Sequence, residues 1–67
     1  MKRGQRYLYI EYNNVAVLEI LQYTGNNRYD INICQVIKGY TKVGEQLNWT
    51  ITEGEWVYLP GQDNLKL

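Results

Sequence analysis

Glu53 and Glu55 stand on either side of Gly54, and this carboxylate pair across a tight turn is the first feature of the chain that could do chemistry. Such a pair cleaves glycosidic bonds when the carboxyl groups lie roughly 5–10 Å apart around a sugar-sized cleft. A turn tip in a small domain offers no such cleft, so a solvated turn is the simpler account. Cys34 is the second candidate. It lies between Ile33 and Gln35 in an alternating segment, with no neighbour to lower its pKa, and reads as a small packing residue. The chain has no His and no Ser, which removes the usual general base, the usual nucleophile and the commonest metal ligand together. One thiol without a His makes neither a zinc site nor an internal disulfide. "KGYTKVGE" (Lys38–Glu45) has glycines and lysines, but not the spacing of a phosphate-binding loop. The expectation is a non-enzyme with no catalytic residue, no metal and no cofactor.

The elements that would position these residues read as strands. "QRYLYIEY" (Gln5–Tyr12) alternates, and Asn13-Asn14 follows as a tight turn able to supply positive φ. "VAVLEILQY" (Val15–Tyr23) comes next, then a second turn in "TGNN" (Thr24–Asn27). A helix over Val15–Gly25, closed by a glycine cap, is the rival for that segment. In "RYDINICQVI" (Arg28–Ile37), Tyr29, Ile31, Ile33 and Ile37 fall on one face by the two-residue period. "QLNWTIT" (Gln46–Thr52) points Leu47, Trp49 and Ile51 inward. Glu53-Gly54 then reads as the turn of a hairpin, "ITEGEWVYL", which Pro60 ends because it cannot donate to a ladder. The whole of 1–67 is one domain, with 60–67 a polar C-terminal tail.

Five short strands joined as a meander resemble the small antiparallel barrels of SH3-like or Sm-like type, ahead of the OB-fold, which usually needs more chain and a helix. The resemblance lies in strand count and spacing. It carries no motif, and no functional residue is transferred on it.

Two features point to binding. The chain has seven Tyr and two Trp but no Phe, a choice suited to surfaces that are apolar on one side and wet on the other. If Leu8 and Ile10 point inward, Tyr7 and Tyr9 point outward; if Val57 and Leu59 point inward, so do Trp56 and Tyr58 point outward. First and last strands pair in SH3-like barrels, so Tyr7, Tyr9, Trp56 and Tyr58 would form one patch, with Arg3 and Arg6 beside it. Tyr, Trp and Arg are the composition of interface hot spots. The reverse facing, with Trp56 and the tyrosines toward the core, is the alternative. The second feature is "VAVLEIL", apolar on both faces: Val15, Val17 and Leu21 on one, Ala16, Leu18 and Ile20 on the other. A small barrel has one inside, so the first set is a candidate subunit interface.

Size points the same way. Below ~70–80 residues a single core supplies no more than about 3–5 kcal/mol, and a second copy is the remaining common staple here. Seven basic and seven acidic residues cancel, so no global field draws the chain to nucleic acid or to an anionic membrane. No apolar run reaches a membrane span, and Glu11 and the tyrosines spoil any signal-peptide core at the N-terminus, so the expected compartment is a reducing cytoplasm. The expected function is non-catalytic: binding an unidentified protein, or further copies of the chain in a homo-oligomer, through the Tyr/Trp surface. Weak single-stranded nucleic-acid binding by base stacking on the same rings is the runner-up.

Overall fold

The computed structural model describes residues 1–64. Residues 65–67 of the expected tail lie outside them. The fold is all-β: five antiparallel strands in one sheet, β1 (Arg6–Glu11), β2 (Asn14–Gly25), β3 (Arg28–Lys38), β4 (Gln46–Thr50) and β5 (Glu55–Tyr58), in the order β4-β3-β2-β1-β5. Among the described residues no helix forms, so none is long and apolar enough to cross a membrane. The helix considered over Val15–Gly25 is strand β2. Its β-branched residues suit the pleat, and pairing on both sides satisfies its backbone.

One turn shifts from its expected place, and the other narrows within it. The β1–β2 connection is Tyr12-Asn13, closed by the Glu11↔Asn14 pair, and Asn14 itself is in the strand. The paired positive φ values belong to Asn26 (54°) and Asn27 (59°), which turn β2 into β3. That geometry is the two-residue turn whose twist matches its flanking strands, and Asn tolerates it best after Gly.

The larger correction concerns the last strand. Glu53-Gly54 does not close a hairpin: β4 pairs only with β3, and β5 pairs only with β1. These edge strands are joined by residues 51–54 alone. In a flat sheet they would lie four gaps apart, about 19 Å at ~4.8 Å each. Five peptide steps reach at most about 18 Å when fully stretched, and this link is bent, with Gly54 at φ 69°. The sheet must therefore roll until its edges approach. It does not close: β4 and β5 share no backbone ladder, so the expected closed barrel is an open, strongly rolled sheet.

Four irregularities between β2 and β3 accomplish the roll. Cys34 and Ile37 are extra residues on β3, and Leu21 and Thr24 are extra on β2. Each bulge bends its strand and raises the local twist. Each also breaks the two-residue period. Ile37, expected inward, is 57% exposed, and Val36 packs against the core in its place.

The core is Tyr9, Ala16, Leu18, Ile20, Ile31 and Ile33, flanked by Tyr7, Tyr29, Val36, Leu47, Trp49 and Trp56. The folded chain exposes 4420 Å². A compact monomer of this mass exposes roughly 4,400 Å², so one copy is as well enclosed as ordinary monomers of its size are. Gly54 has a specific duty in that enclosure. A Cβ there would lie 2.5 Å from Cε1 of Tyr9, so the link passes directly over the ring. Gly54→Ala adds this clash to the strain of a positive φ, and a loss of about 1–3 kcal/mol is expected in urea unfolding. A change below about 0.5 kcal/mol would separate the link from the ring.

Candidate functional site

Register decides which way β1 faces. Tyr9 is opposite Ala16 and Tyr7 opposite Leu18, and cross-strand partners share a face. Ala16 and Leu18 are fully buried, so the tyrosines point inward and Leu8 and Ile10 point outward. The same holds on β5, where Trp56 pairs with Tyr9 and Tyr58 with Tyr7. The facing is thus the reverse of the one expected for Tyr7, Tyr9, Trp56 and Tyr58. The reason is volume. The fully buried aliphatics are few, and the rolled sheet fills its interior with rings, Ala16 leaving room opposite Tyr9.

The four rings do come together, as part of a longer chain. Trp49 meets Tyr9 (ring centroids 4.6 Å), Tyr9 meets Trp56 (5.4 Å), Trp56 meets Tyr7 (6.4 Å) and Tyr7 meets Tyr58 (5.3 Å). Five rings therefore run from one edge strand to the other, from Trp49 over the core to Tyr58, which is 38% exposed. Three of them, Trp56, Tyr9 and Tyr58, have hydrogen-bond partners at their polar tips. The Trp56 indole N–H donates to the Glu53 carbonyl (2.9 Å), and the Tyr9 hydroxyl to Glu11 (3.1 Å). The Tyr58 hydroxyl donates to the Asp63 carboxylate (2.9 and 3.1 Å to its two oxygens). With the Asn64 N–H donating to the Gly4 carbonyl (2.7 Å), that bond folds the segment after Pro60 back onto the sheet.

These environments shift ionisation. Burial, then the hydrogen bond to Glu11, pushes Tyr9 up to about 12. Burial also raises Tyr7, and the bond to Asp63 raises Tyr58. Burial raises the Cys34 thiol, whose S–H donates to the Asn32 carbonyl at 3.7 Å, so the group is held as a thiol rather than a nucleophilic thiolate.

Arg6 does not join the rings. It lies on the outer face, where its guanidinium pairs with Glu19 (3.1 Å to the same carboxylate oxygen that its Nε reaches at 3.2 Å). Arg3 lies in the turn before β1, beside a cleft that Leu21 also lines. Leu21, as a bulge residue, therefore parts from Val15 and Val17. A stacking platform for bases needs open ring faces with cations beside them. Here Tyr9 is buried, Trp56 packs against the core and Arg6 is paired.

What the outer face presents instead is aliphatic. Val57, Leu8 and Val17 are in register across β5, β1 and β2, and Ile10 and Val15 form the next row. Val57 is 39% exposed, Leu8, Ile10 and Val15 are half-buried, and Val17 is buried at 7%. No strand crosses this face, since the backbone of each strand runs close only to that of its sheet neighbours. The second row ends in opposite charges: across β5-β1-β2-β3 it reads Glu55, Ile10, Val15, Lys38. Leu8, Ile10, Val57, Glu55 and Lys38 were not among the expected site residues. The small residues Ala16 and Gly54, spaced to admit large rings, were the signal that could have found the facing.

Two measurements check this arrangement. Trp56→Ala is expected to lower unfolding free energy by about 2–4 kcal/mol, a little below the range for fully buried Trp; an unchanged urea midpoint would place the indole outside the core. Tyr9 is neutral in the fold up to a higher pH than in the unfolded chain. Its contribution is therefore complete below about pH 10 and lost as pH rises through about 12. Absorbance titration should show one tyrosine ionising only as the protein unfolds at that pH, and Tyr9→Leu should abolish the late phase. No protein-family model matches this chain, and neither a curated protein nor a solved structure does so.

Proposed function

We propose that this protein is a non-catalytic interaction module of the cytoplasm that pairs with a second copy of itself through the outer face of β5, β1 and β2. The observation that carries this reading is the row Glu55–Ile10–Val15–Lys38. A two-fold axis parallel to β1 in the plane of contact reverses the row. It lays Ile10 of one copy against Val15 of the other and sets Glu55 against Lys38 at both ends. In the neighbouring row Leu8 and Val57 are the accessible contacts, since Val17 between Leu8 and β3 is already buried. Isologous contacts require such a self-complementary patch. The aliphatic middle supplies the driving force, and the end charges fix the register rather than adding much affinity.

The patch spans four strands and about three residues, roughly 20 Å by 10 Å. That is well below the ~800 Å² per partner of a standard interface, so association is weak and concentration-dependent. The monomer is already compact, and the dimer adds to a folded chain rather than completing one. The finer fold is read as SH3-like, supported by the pairing of first and last strands around an open but rolled sheet.

Light scattering over rising concentration tests the proposal, with a dimeric mass expected as the sample approaches ~1 mM. Leu8→Glu is expected to stay monomeric with unchanged circular dichroism. Glu55→Lys or Lys38→Glu alone should weaken the dimer, and the double exchange should restore it. A wild-type chain that stays monomeric at ~1 mM, or a double exchange no better than either single one, overturns the reading.

A further inference from the structure

A chemically different feature lies along β2, β3 and β4, apart from the aliphatic rows. A cleft of about 590 Å³ opens there, lined by Arg3, Gln22, Asp30, Gln46 and Asn48, with Leu21 and Leu47 as its apolar part. That volume is in the range of small-molecule sites. Part of its polar lining is fixed before any ligand arrives. Asp30 accepts from Gln22 Nε2 on one carboxylate oxygen (2.7 Å) and from Asn48 Nδ2 on the other (2.9 Å). Asn48 is oriented in turn by Arg28, whose Nε donates to its side-chain oxygen (2.7 Å). These two bonds also hold the Asp30 carboxyl below its usual range, so it is ionised at neutral pH. A carboxylate has about four acceptor positions, and two are still open.

Arg3 is placed with equal care. Lys2–Gln5 is a turn closed by Gln5 N–H on the Lys2 carbonyl (3.0 Å), with Gly4 at φ 88° in the position that requires it. The turn is pinned to β2, because Gly4 N–H donates to the Ile20 carbonyl and Ile20 N–H to the Gln5 carbonyl (both 2.9 Å). Among the described residues the Arg3 guanidinium has neither an ion pair nor a hydrogen bond. One unpaired cation and one half-engaged anion thus line the same cleft without touching each other. A ligand of single charge would leave the opposite charge facing it. A ligand carrying both charges meets both.

We propose that this cleft binds a small zwitterion of the α-amino-acid class, its carboxylate on Arg3 and its ammonium group on Asp30. Gln22 spends its Nε2 on Asp30 and keeps its oxygen, and Gln46 keeps its whole amide, so a polar side chain on the ligand has partners. A leucine pair contacts the aliphatic part. The site shares no residue with the proposed dimer face, and the two stand or fall separately.

L-glutamine is the probe, with sodium acetate and methylammonium chloride as its separated charges at matched ionic strength. Amide chemical shifts of the labelled protein should move saturably at Arg3, Gln22, Asp30 and Asn48 with L-glutamine. Each single-charge probe should bind at least tenfold more weakly. Arg3→Gln, in an exposed turn, should keep the fold and weaken L-glutamine at least tenfold, and Asp30→Asn should do the same. Three results overturn the proposal: no saturable shift with L-glutamine, acetate binding as tightly as L-glutamine, or unchanged affinity in Arg3→Gln.

Discussion

The ring of Tyr9 lies under the backbone of Gly54 and between the indoles of Trp49 and Trp56. Tyr9 belongs to β1 and Trp49 to β4, strands separated by two others in the sheet order, so the contact exists only because the sheet is rolled. The dependence also runs the other way. Without the ring, residues 51–54 would have nothing to turn over, and the edge strands no reason to converge. Packing of this kind is worth more than its area, because aromatic pairs at these separations gain about 0.5–1.5 kcal/mol beyond burial. The rest of the interior then follows. Rings fill the space between the halves, Leu18, Ile20, Ile31 and Ile33 fill the fold of the sheet, and the tyrosine hydroxyls reach the rim.

The two ends of the roll are unequal. At the Gly54 end, Ile51 N–H donates to the Asn27 carbonyl (2.9 Å), and the Trp56 indole is tied to Glu53. At the other end, the backbone at Gly39 lies so close to Asn14 that a Cβ would meet the Asn14 side-chain oxygen at 2.5 Å. The Asn14 amide and the Thr41 hydroxyl are buried there with no protein partner among the described residues. Each such group costs about 1–3 kcal/mol. Opening on short timescales should start where polar groups are buried without reward, under the connection from Gly39 to Glu45, and leave the aromatic end closed.

Much of the architecture was legible in the sequence, and its failures have one source. Strand positions follow from β-branched and aromatic residues between turn residues, and the pairing of β1 with β5 follows from the small-barrel pattern. Facing did not follow. Alternation assigns two faces but does not name the inner one, and the usual ranking of Leu and Ile over Tyr as core residues gave the wrong answer on β1 and β5. In a domain this small, volume overrules that ranking, because a ring spans the gap between sheet halves that an isoleucine leaves empty. Nor could alternation be carried along β2 and β3, where four bulges reset it. Cys34 and Leu21 look like ordinary members of their runs; only the register across the ladder shows them to be the extra residues. The hairpin reading of Glu53-Gly54 failed for a related reason, since a glycine that admits a ring beneath it has the same local signature as one that turns a hairpin.

Using the rings inside has a consequence for what the molecule can present outside. With Tyr7, Tyr9, Trp49 and Trp56 drawn inward, the outer face keeps the residues left over by alternation, and these differ along the sheet. On β5 and β1 they are aliphatic, giving a surface that gains by being covered. On β2, β3 and β4, past the Leu21 bulge, they are Gln22, Asp30 and Asn48, already joined by hydrogen bonds, together with Gln46. Arg6 and Glu19 stand between the two regions as a partly buried ion pair, the Arg6 side chain 33% exposed and that of Glu19 9%. It places a hydrophilic boundary where the aliphatic rows end. One bulge on β2 thus separates a face suited to a flat, weak contact between folded chains from a cleft suited to a small polar molecule. Both rest on the same wedge of rings, because only a rolled sheet bends β2 enough to aim its two ends in different directions.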